Sequence, residues 1–313
     1  MSAGWGPSEG ARLMIGAAFF FSVMSLLVKV VGRSLPSQEI VLLRGAVTLA
    51  LSYGALRLAG VRPDGKRRGL LALRGLLGFA AVSAFFYAVI HLPLADATVI
   101  HYTNPVFTAL IAALFLAEPI RARDGACLLA SLVGVALIAR PTLLFGGAAS
   151  ALDPLGVAAG LAGAILAAAA YVTVRHLAKT EHAMVIVLWF GLATTVGAIP
   201  GSAAAFELPT GWLWAGLLGV GLTTHLGQVL LTRGLALETA GRAMMVSYVQ
   251  IVFAAGWGIL FFGEHPDGWL VAGGADRGQH ARAGPAGAVT TGGRGGGVRP
   301  EAVDGCSTCN PRL

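Results

Sequence analysis

The chain alternates between long apolar runs and short polar breaks. Runs of roughly 20 apolar residues cross the hydrocarbon core of a bilayer as helices. Nine such spans lie near 12–31, 38–58, 69–90, 94–117, 122–140, 153–175, 182–203, 211–232 and 240–262. The breaks between them carry turn residues: GRSLPS, GVRPDGKRRG, HLP, AEPIRARD, RPTLLFGGAASALDP, FELPTG and GEHPDG. None is long enough to hold a soluble domain. The pattern predicts an all-α polytopic membrane protein.

A second regularity acts over a longer distance. Sliding the chain on itself by 146 residues aligns the halves without a gap. Val28-Lys29 falls on Val174-Arg175, Arg33 on Lys179, Gly45 on Gly191, Thr48 on Thr194 and Gly75 on Gly221. The best block sets YTNPVFTALIAALFLAE over YVQIVFAAGWGILFFGE, so Tyr102 meets Tyr248 and Glu118 meets Glu264. Apolar segments match by chance at Leu, Ala and Val, but rarely at Tyr, Phe, Glu and a basic pair with one fixed offset. The first copy holds five spans, an odd number, so the second starts from the opposite side of the membrane. Inverted copies of this kind build the two alternately open states of many secondary transporters.

Composition sharpens the class without changing it. The 313 residues are 56% hydrophobic and only 12% charged, too little charge to cover a soluble protein of that size. The net charge of +7 is spread over short loops and the C-terminal stretch, which excludes a nucleic-acid surface. Arg57, Arg62, Lys66, Arg67 and Arg68 lie in the second loop, Arg121 and Arg123 in the fourth, Arg175 and Lys179 in the sixth, Arg233 and Arg242 in the eighth. The alternate loops hold only Lys29, Arg33 and Arg140. This bias places the N-terminus in the cytoplasm, with the chain in the plasma (inner) membrane. Cys127, Cys306 and Cys309 form no disulfide framework.

The repeat also predicts a tenth span, matching DGACLLASLVGVALIARP. WLVAGGA begins it near Gly268, and within a few residues the chain turns to charge, glycine and proline. A shifted reading frame is the expected cause. GGADRGQHARAGPAGA back-translates so that a one-base shift reads GALIVVSTRGLVLLAR, an apolar segment with a basic end. A natural tail on a nine-span protein is the alternative. The expected organisation is a first repeat at 12–140, a second at 153–275 with four helices and an incomplete fifth, and a disordered tail at 276–313.

LPSQEIVLLRGAV, FFYAVIHLPLADATVIHYTNPVFTALIAALFLAEPI and LTRGLALETAGRAMMVSYVQIVFAAGWGILFFGE resemble the EamA-type transporters of the drug/metabolite transporter superfamily, near the solute carrier family 35 branch. The resemblance covers about residues 12 to 275. Its marks are Arg44 in span two, the Pro-Leu-Ala-Asp-Ala entry to span four, and the glutamates closing spans four and nine, Glu118 and Glu264. It implies ten helices in two inverted repeats, a central substrate cavity, and transport without ATP hydrolysis or a cofactor. The expected function is export of small organic metabolites (amino-acid-like, nucleoside-like or drug-like) by alternating access. The alternative is a truncated, inactive or regulatory derivative of such a transporter.

Polar groups inside hydrocarbon are costly and usually face a cavity or one another. The candidates for the cavity are His101, Tyr102, Asn104, Tyr171, His225, Gln228, Tyr248 and Gln250. His101 and Asn104 share a helix face at three-residue spacing, as do His225 and Gln228. The competing reading is that such groups tie helix to helix, each bond contributing roughly 0.6 kcal/mol. Arg44, Pro105, Glu118 and Glu264 read as gate or structural residues, with Arg44 pairing to Glu39 or a backbone carbonyl. No paired carboxylates, nucleophile set or metal cluster is visible, so the reading is not an enzyme. The expected partners are a small-molecule substrate and the bilayer, with a proton or counter-substrate and a second copy of the chain left open.

Overall fold

The structure, a computed structural model, describes residues 8–92, 94–120, 122–139, 153–203 and 206–262. The expected tenth span, Glu264, Arg140 and the tail at 276–313 lie outside the described residues. The described chain folds into α1 Glu9–Val31, α2 Ser37–Leu58, α3 Arg68–His91, α4 Leu94–His101, α5 Asn104–Leu116, α6 Ala122–Ala139, α7 Pro154–Leu177, α8 Ala183–Ala203, α9 Trp212–Leu237, α10 Ala240–Ser247 and α11 Val249–Phe262. Seven stretches are long and apolar enough to cross a membrane, with Asp96–Leu116 running through α4 and α5, while α6 and the α10–α11 stretch are shorter apolar elements. The fourth and ninth spans are therefore broken helices, where the apolar pattern predicts continuous ones.

Local chemistry explains the ends. Asp153 caps α7, its carboxylate accepting from the amides of Leu155 at 3.2 Å and Gly156 at 2.9 Å, with Pro154 in the first turn. Gly65 and Gly211, repeat mates in the approaches to α3 and α9, both take the left-handed backbone (φ +69° and +53°) that a side chain would disfavour.

The 146-residue offset reappears in the fold. Adding it to the bounds of α4 returns those of α10, and the last residues of α1, α3 and α5 map onto those of α7, α9 and α11. Packing obeys the same rule. α3 packs on α7 and α8, and their images do likewise, α9 on α1 and α2. α4 and α5 pack on α7, as α10 and α11 pack on α1. Reciprocal contacts of this kind are the signature of a twofold axis. The axis passes through the α2–α8 crossing. There a Cβ on Gly45 would stand 2.9 Å from Thr195 Oγ1, and one on Gly191 would stand 3.0 Å from the Leu49 amide. Gly45 and Gly191 are mates, and so are Leu49 and Thr195. Apolar association gains little between helices already in lipid, so such close backbone approach is what holds them together.

The outer surface suits lipid. Leu114 and Phe115 and their mates Leu260 and Phe261 are all largely exposed. Inside, Met14, Leu56, Leu71, Leu177, Ile186, Leu235 and Met244 form one buried cluster drawn from both repeats.

Candidate functional site

Polar side chains from α2, α3, α7 and α9 gather inside the bundle. Arg74 on α3 is 2% exposed. Its Nη2 donates to Gln228 Oε1 on α9 at 3.3 Å, and its Cζ stands 4.5 Å from the ring centroid of Phe190 on α8. Nε and Nη1 are buried with no hydrogen-bond partner among the described residues. The room for this guanidinium comes from Gly78, one turn on. A Cβ there would overlap Nη1 and stand 2.7 Å from the Phe190 ring. Arg44 on α2 reaches only the soft sulfur of Met24, with Nη1 to Sδ at 3.9 Å. Tyr171 on α7 is partly buried against the apolar cluster of the bundle. His225 Nδ1 and Ser52 Oγ stand 3.3 Å apart, the donor being set by the imidazole tautomer. The buried hydroxyls of Thr48, its mate Thr194, and Thr224 have no partner among the described residues.

A second polar group marks the breaks in the two discontinuous spans. Pro105 lacks the N–H that would bond the carbonyl of His101, and the Asn104 side-chain amide donates to that carbonyl at 2.8 Å instead. Thr108 turns its hydroxyl to the Asn104 carbonyl at 2.7 Å. Tyr248, at the matching break, donates its hydroxyl to the Tyr102 carbonyl at 2.8 Å, and the two rings stack at 5.9 Å and 27°. Repeat mates that touch must lie on the axis, so this pair fixes its second point. His101 packs on Phe85, with ring centroids 4.3 Å apart, and its Nδ1 is buried with no partner among the described residues.

The ends of the bundle are tied differently. At the end bearing the basic loops, Arg175 Nε donates to Glu118 Oε1 at 2.9 Å, and its Nη1 donates to the carbonyls of Leu235 and Ala236. Glu118 Oε2 accepts from the Ala240 amide at 2.8 Å, so one ion pair joins α5, α7, α9 and α10. Glu181 accepts from the amides of Lys66 and Arg67. A shallow cleft lined by Glu118, Asp124, Leu128, Thr239 and Arg242 lies beside this latch, away from the interior cluster. At the other end Glu39 accepts from the Glu207 amide at 3.1 Å.

Arg44 therefore does not pair with Glu39. They are more than a turn apart on α2, and Glu39, itself fully buried, accepts from the Glu207 amide in the loop before α9. The structure brings Gln228 onto Arg74 and His225 onto Ser52 of α2, leaves Arg44 against Met24 and Tyr171 against the apolar cluster, and sets His101, Tyr102 and Tyr248 around the axis. Asn104 spends its amide on its own helix break, and Gln250 sits in the matching position at the start of α11. Arg74 escapes the sequence reading altogether. It lies a few residues inside span three behind Arg67 and Arg68, where a long basic side chain ordinarily reaches back to the interface. Its four-residue spacing to Gly78 is the one sequence signal of an inward turn. Among the described residues no cluster of three His, Cys, Asp or Glu side chains is placed to hold a metal ion.

Comparison with known proteins agrees with this architecture. The model of the EamA-like transporter family matches residues 8–140 and 154–275. The pseudopaline exporter CntI of Pseudomonas aeruginosa is 38% identical over 85% of this chain and 92% of its own length. Solute carrier family 35 member G1 of Homo sapiens is 32% identical over 85% of this chain and 76% of its own. A probable transport protein of Saccharomyces cerevisiae is 30% identical over 85% of both chains. A solved crystal structure superposes with a TM-score of 0.76 at 20% identity, covering 85% of this chain and 92% of that one, and supports the fold alone. The chain belongs to the EamA-like transporter family.

Proposed function

We propose that this member of the EamA-like transporter family is a plasma-membrane secondary transporter that exports small organic metabolites by alternating access, with its N-terminus in the cytoplasm. The observation that carries the reading is the twofold packing around a polar interior. Two near-equivalent halves meet at Gly45–Gly191 and Tyr102–Tyr248, and exchanging their conformations would open the interior to one side or the other. The outward direction follows the printed name of the CntI relative. His101, Tyr102, Asn104, Tyr171, His225, Gln228, Tyr248 and Gln250 are proposed to line the path. Glu118 closes it at the basic end through Arg175, and Glu264 is proposed for the corresponding role at the other. A proton carried on His225 or His101, or exchange for a counter-substrate, would couple the cycle, and a second copy of the chain is the proposed assembly partner.

Reporter fusions at Gly65, Arg123 and Lys179 should report the cytoplasm, and fusions at Gly147 and Pro209 the opposite side. Cysteines replacing His225 or Gln228 should react with a water-soluble thiol reagent, and His225→Leu should lower efflux while membrane levels hold. A reversed fusion pattern, or lost protein without labelling, contradicts the reading. The family match ends at residue 275 while the chain runs to 313, which favours a second reading, an impaired derivative. Replacing 275–313 by the apolar segment ALIVVSTRGLVLLARP should then raise both detergent stability and transport, and equal values in the two forms exclude it.

A further inference from the structure

Two arginines of the bundle, Arg74 buried and Arg44 half-buried, lack a balancing carboxylate among the described residues. Among the described residues no carboxylate pairs with Arg44 or Arg74. The fold does not require either. The repeat mate of Arg44 is Phe190 and the mate of Arg74 is Val220, so the same two positions in the second half hold apolar side chains. Arg74 is also prepared for contact rather than merely tolerated. Gly78 clears space for its guanidinium, Phe190 supports one face, and Gln228 holds one nitrogen while two remain without partners. A buried guanidinium fixed on an aromatic face, with two nitrogens unpartnered among the described residues, can receive an oxyanion.

We infer that Arg74, with Arg44, binds the carboxylate of a small organic substrate, so that the exported metabolite is an organic acid or a zwitterion; this rests on the transporter reading above. Both arginines come from the first repeat, and the neutral partners Gln228 and His225 come from the second. The site is thus asymmetric within a symmetric frame. Phe190 supplies aromatic wall, which suits the carbon skeleton of an organic acid better than a hydrated inorganic anion. Each state of the cycle would present the same two cations to one side of the membrane. The substrate's carboxylate would supply the charge that the helices lack.

The test is untargeted metabolite profiling of the medium around bacterial cells producing the full chain, Arg74→Gln, Gln228→Glu or no transporter, with membrane levels matched by immunoblot. Compounds enriced in the medium by the wild-type chain should carry a carboxylate, and Arg74→Gln should cut their export at least tenfold. Gln228→Glu places a carboxylate on the nitrogen Gln228 now holds, so it should block export and raise the unfolding temperature of the purified protein. Enrichment only of neutral, cationic or phosphorylated compounds overturns the inference and leaves the transporter reading intact. Unchanged export in both variants also overturns it. No enrichment of any compound over the control removes the transporter reading, and the inference with it.

Discussion

Arg175 and Arg74 lie in the same bundle and are treated in opposite ways. Arg175, at the basic end, meets a carboxylate and two backbone carbonyls within 2.9 Å. Arg74, deeper in the interior, has one 3.3 Å contact to an amide oxygen and two nitrogens without partners. Taking a charge out of water costs free energy unless the charge is paired and hydrogen-bonded. The first arginine recovers that cost inside the protein, so it reads as structure. The second does not among the described residues, and the proposed substrate carboxylate would supply what is missing. The satisfied arginine ties helices together, and the one left without partners among the described residues is the one proposed to meet substrate.

The comparison can be broken most forcefully at the latch. Glu118→Ala leaves the Arg175 guanidinium and the Ala240 amide without their acceptor, and removing one member of a largely buried pair costs about 3 kcal/mol. Membrane yield and detergent unfolding temperature should both fall clearly. Normal stability with lost transport would mean that this end too is functional. Next comes the frame that both arginines share. Gly45→Val or Gly191→Val forces apart helices that touch through backbone, at about 2 kcal/mol each. The two variants should lose similar yield, because the axis makes the sites equivalent. An unequal pair would show that the halves are not interchangeable there.

A smaller and more selective change is Gly78→Ala. The added methyl displaces the Arg74 guanidinium from Phe190, while alanine regains about 1 kcal/mol of helix propensity. Transport should drop severalfold with stability nearly unchanged, as measured by efflux against unfolding temperature. The smallest effect belongs to Tyr248→Phe, which removes one hydrogen bond across the axis at roughly 0.6 kcal/mol. A large loss of transport in that variant would move the working site from the arginines to the tyrosine pair.

Much of the frame was legible in the sequence because it depends on period and repetition. Apolar runs located the spans, and the 146-residue offset showed two inverted copies. The break in the ninth span was not legible, since no proline stands at Ile251 and the turn at Tyr248 is set by its ring against Tyr102. The Glu118–Arg175 bond joins residues far apart in the chain, and only packing shows that they meet. Arg74 was hidden by its neighbours. Three arginines near one helix start look like a loop and its flank, and burial alone distinguishes the one that turns inward.

The most direct measurement of the account is a paired one, Arg74→Gln and Arg175→Gln, each assayed for efflux and for unfolding temperature in the same detergent. The account predicts that Arg74→Gln loses transport at least tenfold while its unfolding temperature stays level or rises, because an uncompensated buried charge has been removed. Arg175→Gln should lose several degrees and much of its membrane yield. The reverse pattern, with Arg74→Gln unstable and Arg175→Gln stable but inactive, would contradict it.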